Sequence, residues 1–249
     1  MLGDREMAEF RSEYYGLFVL LWWREPSADW ICELRRDIGT RSEAAAALHP
    51  LMGEGWQTID RFLAERSAET VAEEFTKLFI GPFDPKVNPY ESYYLAGKFF
   101  SAPLANLRAF LKRLGLEKRQ EQFPEPEDYL AFELEVMHWL VGCQLAEKTP
   151  DQQRRWLQSQ SEFLSKHLLV WGPACARDIE GCDEARFYRG AAMLLRGFLE
   201  LESQLFRELG LEKIPPLAEV RRQYGAQPEW KGVTFEAPAS GSSRESSGK

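Results

Sequence analysis

The stretch Glu125-Pro-Glu-Asp-Tyr-Leu-Ala-Phe-Glu-Leu-Glu-Val-Met137 decides how this chain is read. Prolines at 124 and 126 and acidic residues at 125, 127 and 128 precede apolar residues at Leu130, Leu134, Met137 and Val141. Proline is tolerated in the first turn of a helix, carboxylates suit the positive end of its dipole, and the three-to-four spacing makes a buried stripe. The stretch predicts a helix over 126–146 with Glu125, Glu127 and Asp128 at its start.

The same pattern repeats outward in both directions. Phe10, Tyr14, Leu17, Phe18 and Leu21 have helical spacing until Pro26, and Ser27 is placed to cap a second helix carrying Trp30, Ile31 and Leu34. Further amphipathic segments are expected at 43–50, 55–66, 68–79 and 102–114, with Gly115 as the residue after the last of these. A helix over 151–171 should end or kink at Gly172-Pro173, and a final one should span 184–209. Gly190 and Gly197 in that last helix each cost about 1 kcal/mol relative to alanine, which is tolerable where another helix packs close.

Composition agrees. The 249 residues contain 31 leucines against 14 valines and isoleucines together. Unbranched and γ-branched side chains favour helices and β-branched ones favour strands, so the fold class is all-α, a single-domain bundle of about 8–11 helices over residues 1–212. Residues 213–249 are expected to form an extended, partly disordered C-terminal tail, the last ten being rich in Ser and Gly. A net charge of −8 disfavours nucleic acid and favours a basic peptide. Cys32, Cys143, Cys175 and Cys182 form no CxxC pair, so they are expected to be structural thiols in a reducing compartment. The N-terminus has no basic-then-apolar export signal, and Leu17–Trp23 is too short to span a bilayer, so a cytoplasmic protein without stable membrane insertion is expected.

Catalytic motifs are scarce. Glu135-Val-Met-His138 has di-iron spacing but no second copy, and no nucleophile elbow or phosphate loop occurs. The expectation is a non-enzymatic protein with no cofactor and no metal. A helical metal-dependent enzyme is the contrasting class, to be separated by metal analysis.

One segment breaks the helical pattern. Gly81-Pro-Phe-Asp-Pro-Lys-Val-Asn-Pro89 holds three prolines, so residues 81–89 read as a hinge loop that presents Phe83, Tyr90, Tyr93 and Tyr94. Rigid aromatic rings on a stiff loop give contact area at low entropic cost, which suits peptide binding.

Three elements, in order along the chain, resemble the TorD/DmsD family. Phe75-Thr-Lys-Leu78-Phe79-Ile-Gly-Pro82, with Pro89-Tyr90-Glu-Ser-Tyr-Tyr94, is similar to the family's aromatic-x-x-Leu-Phe-x-Gly-Pro and Pro-aromatic-x-Ser-x-aromatic elements. The 125–137 stretch resembles its acidic E-P-(E/D)-D-H signature, and Phe163 to Pro173 its F-x-x-x-H-h-x-x-W-x-P stretch. The resemblance covers roughly residues 8–210. It implies a TorD-like cytoplasmic chaperone that binds the twin-arginine signal peptide of an apo-molybdoenzyme catalytic subunit, assists cofactor insertion and prevents premature export. A NarJ-like assembly factor for a membrane-anchored molybdoenzyme is the alternative within the same fold. The resemblance also implies a monomer or domain-swapped dimer, and places Phe75, Leu78, Phe79, Pro89, Tyr90, Asp128 and Tyr129 in peptide binding. Asp128 is expected to face the groove and accept hydrogen bonds from a ligand arginine. Tyr129 stands where the family usually has histidine, leaving a stacking role but no imidazole titration. His167 and Trp171 read as structural.

Overall fold

Leucine-rich stripes at helical spacing do form helices throughout. The computed structural model describes residues 4–81, 84–119, 123–210 and 213–225. In chain order the α-helices are α1 (Asp4–Trp22), α2 (Ala28–Arg36), α3 (Ile38–Leu48), α4 (Pro50–Glu65) and α5 (Glu69–Phe75). A π-helical turn, Thr76–Ile80, extends α5. After the proline-rich loop come α6 (Glu91–Ala96), α7 (Ala102–Arg113), α8 (Leu130–Ala146), α9 (Pro150–Lys166), α10 (Leu168–Gly181), α11 (Phe187–Glu208) and α12 (Leu217–Gln223). The only extended pairing among the described residues is one antiparallel bridge, Tyr90 with Tyr129. The fold is all-α, with twelve α-helices among the described residues where about 8–11 were expected.

The long α11 is central, packed on α4 and α10, while α1 lies along α8. Helices α4 and α11 cross with almost no gap: a Cβ on Gly190 would sit 2.7 Å from the Gly55 carbonyl oxygen, and one on Gly197 2.8 Å from Met52 Cγ. Close helix contact therefore explains both glycines. Helix α1 is tied to α11 by a buried ion pair, Arg11 to Glu202 at 2.6 and 2.8 Å, with the Tyr15 hydroxyl donating to the same carboxylate at 2.6 Å. Buried Glu74 accepts from the backbone N–H groups of Arg186, Phe187 and Tyr188 at the start of α11, which fixes α5 against it.

Local signals behaved as read at Ser27, whose hydroxyl accepts from Trp30 N, and at Gly115, which closes α7 with φ +71°. Helices α3 and α4 each start five residues before the expected 43 and 55, and three further differences follow from a distant partner. Helix α8 begins at Leu130, four residues later than expected, since Glu91 N donates to Asp128 O (2.8 Å) and Leu130 N to Pro89 O (2.9 Å). These bonds hold Tyr129 extended (φ −76°, ψ 140°), so Glu125, Glu127 and Asp128 lie ahead of the helix rather than in its first turn. The expected 151–171 helix breaks at His167 (φ −127°, ψ −100°), whose ring is held by Glu91, and α10 then continues through Gly172-Pro173. Part of the expected extended tail is helical: α12 docks on α6 and α10 through Val220, and Arg221 Nε donates to Tyr94 O at 2.6 Å. The remainder of that tail, from 226, and loop residue Phe83 lie outside the described residues.

Candidate functional site

Three segments far apart in sequence meet around an open cleft of about 520 Å³. The end of α1 contributes Trp23, Arg24 and Glu25, and the α5 extension contributes Phe75, Phe79 and Ile80. Tyr90 and Tyr129 come from the antiparallel bridge, with Phe123, Pro124 and Glu125 beside them. The π-helical turn sets the second wall. Its wide ring closes with Gly81 N donating to Thr76 O at 2.7 Å, and it leaves Phe79 nearly buried and Ile80 54% exposed at the rim. Gly81 is required there, with φ +62° and a would-be Cβ 2.5 Å from Asp84 O.

The walls are aromatic and the polar groups few. Phe75 and Phe79 meet edge to face at 5.1 Å between centroids, as do Tyr90 and Tyr129 at 5.1 Å. Trp23 lies on Phe123 at 4.1 Å. The Tyr90 hydroxyl donates to Glu125 Oε2 at 2.7 Å, and the Tyr129 hydroxyl to the Trp22 carbonyl at 3.0 Å. Burial pushes both phenols further up from their ordinary range, so neither ionises near neutrality. Glu25 accepts from the Thr76 hydroxyl. Glu25 and Glu125 against Arg24 leave an excess of negative charge on an apolar surface, which suits a cation carried on an apolar chain.

Comparison with known proteins identifies the family. The family described as nitrate reductase delta subunit matches residues 45–177. A chaperone protein TorD from Aeromonas salmonicida is 30% identical over 201 residues, covering 79% of this chain and 91% of that protein. The chain belongs to the TorD family of chaperones. A TorD from Vibrio cholerae is 32% identical over 141 residues, 56% of this chain and 63% of that one. A solved chain from Archaeoglobus fulgidus, assigned to redox enzyme maturation, has 21% identity and a TM-score of 0.44 over 80% of this chain and 96% of its own.

Of the seven residues singled out by sequence, Phe75, Phe79, Tyr90 and Tyr129 line the cleft. Leu78 and Pro89 are buried behind it: Leu78 O accepts from Val87 N at 3.0 Å, and Pro89 O helps form the bridge. Asp128 is 1% exposed and turned away from the cleft. Its Oδ2 accepts from Ser92 N at 3.0 Å, so it caps α6 from across the bridge rather than facing the groove. Glu127 pairs outward with Arg108 at 2.7 Å.

Beneath the bridge lies a buried acidic node. Glu91 Oε1 is 2.9 Å from His167 Nδ1, and both Glu133 oxygens accept from Trp171 Nε1 at 3.2 and 3.1 Å. Burial and then the charge of Asp128 raise the Glu91 carboxyl well above its usual range, and burial and then Glu91 raise Glu133. Burial lowers His167 to about 4. At the Glu91–His167 contact burial raises the carboxyl and lowers the imidazole, so both shifts favour a neutral pair over an ion pair.

Sequence reasoning missed Trp23, Arg24, Glu25 and Phe123, and it treated Glu125 only as a helix-end charge. The Trp22-Trp23-Arg24-Glu25-Pro26 run carried a usable signal: two large aromatics and two charges where a proline stops a helix.

Proposed function

We infer that this chain is a system-specific chaperone that holds the N-terminal twin-arginine signal peptide of an apo-molybdoenzyme catalytic subunit. It acts in the cytoplasm, before cofactor insertion and export. The observation that carries this reading is the cleft itself: an aromatic floor of Phe79, Tyr90 and Tyr129, flanked by the carboxylates of Glu25 and Glu125. A leader of this kind combines a basic region with an apolar one, and the cleft offers a partner to each. Glu25 and Glu125 take the arginine-binding role that sequence assigned to Asp128. Asp128 holds the Tyr90 strand in place through α6.

Family membership supports the chaperone assignment, because the similar proteins are chaperones by name. The test is capture of the tagged chain from its native cytoplasm, followed by identification of the bound large subunit. A molybdoenzyme catalytic subunit with an Arg-Arg leader is expected, and deleting that leader should abolish capture. Recovery of a subunit bearing only a remnant leader would instead indicate the NarJ-like assembly role. Capture that does not depend on any leader would overturn the cleft as the recognition site.

A further inference from the structure

The cleft does not end at Trp23 and Phe123. On their far side a second concavity of about 260 Å³ runs along α8, and the same two rings form its near wall. Its other apolar walls are Leu111, Leu116, Phe132, Val136 and Trp139. The rings connect the two spaces: Tyr90 meets Tyr129, Tyr129 meets Phe123 at 5.7 Å, and Phe123 stacks on Phe132 at 5.9 Å. Trp139 packs edge-on to Trp156 at 5.5 Å and stays 37% exposed. Large aromatics left open in a concave site are characteristic of binding surfaces.

Charge distinguishes the two halves. Among the described residues the cleft has Glu25 and Glu125 against Arg24, whereas the groove's rim balances Glu117 and Glu135 with Lys118 and Arg119. One half suits a cationic segment and the other an uncharged apolar one. In a signal peptide these segments are adjacent, the basic region preceding an apolar run of about 7–15 residues.

We propose that the α8 groove receives the apolar run of the same leader whose arginines occupy the cleft, so that the peptide crosses in one direction over half-buried Trp23, with Phe123 buried beside it. This rests on the cleft reading above and adds the polarity of binding. The opposite direction would carry the apolar run over Phe99, which packs edge-on to Tyr90 at 5.2 Å, towards Phe100, 77% exposed.

The test uses the full chain and two synthetic peptides of equal length. One has Arg-Arg followed by about twelve leucines and alanines; in the other, serine replaces that run. Calorimetric titration should show the apolar peptide binding at least about tenfold tighter. Trp139→Ala should remove about tenfold from the apolar peptide and nothing from the serine one, whereas Glu125→Gln should weaken both. If Glu125→Gln weakens both peptides while Trp139→Ala and the serine run change nothing, the groove proposal fails and the cleft reading stands. If Glu125→Gln affects neither peptide, the cleft reading itself fails. A photo-crosslinking residue within the apolar run should label the Phe132 to Trp139 segment of unmodified protein; labelling of Phe99 and Phe100 would overturn the direction. Light scattering guards against a different occupant: a Trp139→Ala effect on self-association, with peptide binding unchanged, would make the groove a contact between copies of this chain and overturn the proposal.

Discussion

Asp128 separates a ligand-binding carboxylate from a structural one, and its substitution tests the geometry of the whole site. The side chain is 1% exposed, and Oδ2 accepts from Ser92 N at 3.0 Å. Removing a charge-assisted hydrogen bond costs about 1.5–3 kcal/mol, and loss of a helix cap about 0.5–2 kcal/mol. Part of that cost is offset, because the Asp128 charge also bears on the buried Glu91 and Glu133 carboxyls. Asp128→Ala should therefore destabilise the protein by about 1–2 kcal/mol, lowering Tm by roughly 2–8 °C for a chain of this size. Asp128→Asn keeps an acceptor for Ser92 N and should cost less than about 1 kcal/mol. Urea unfolding supplies stability, and titration with an Arg-Arg leader peptide supplies affinity. Asp128→Asn should bind within about threefold of wild type, whereas Glu125→Gln on the cleft wall should lose about tenfold. The reasoning is refuted if Asp128→Asn loses ten- to a hundredfold in affinity while its stability is unchanged.

Three further outcomes follow from the same structure. Glu91 is a carboxyl whose folded value is raised above the unfolded one, so its burial becomes a growing cost as pH rises above about 4.5. Glu91→Gln retains a donor for His167 Nδ1 and should be more stable than wild type at pH 8, with a smaller advantage at pH 5; equal unfolding midpoints at pH 8 would contradict the neutral-pair assignment. His167, lowered from 6.5 to about 4, contributes stability above pH 6.5 that is lost as pH falls towards 4, on the order of 3 kcal/mol, and His167→Gln should abolish that part of the acid dependence in unfolding titrations. Gly190→Ala places a methyl 2.7 Å from the Gly55 carbonyl and should destabilise by about 1–3 kcal/mol or more, despite alanine's better helix propensity; a stabilised variant in urea unfolding would show that α4 and α11 can separate freely.

The chain's leucine excess and its helical spacing already determined an all-α protein, and Ser27 and Gly115 marked helix ends correctly because capping is a contest among neighbouring residues. The three ordered elements around Phe75, Asp128 and His167 identified the family. They also gathered four cleft residues from two separate stretches, Phe75 and Phe79 with Tyr90 and Tyr129. What local sequence could not determine was orientation. Whether α8 started at 126 or 130 depended on backbone hydrogen bonds to Pro89 and Glu91, almost forty residues away. The break at His167 depended on Glu91, and the helix within 217–223 on Tyr94 and its neighbours. Asp128 faces inward for the same reason: an acid ahead of a helix has several acceptable partners, and only the packed chain brought Ser92 N close enough to be the one it took. Periodicity and caps are short-range energies written along the chain, whereas the choice among competing long-range partners is made only when the segments meet.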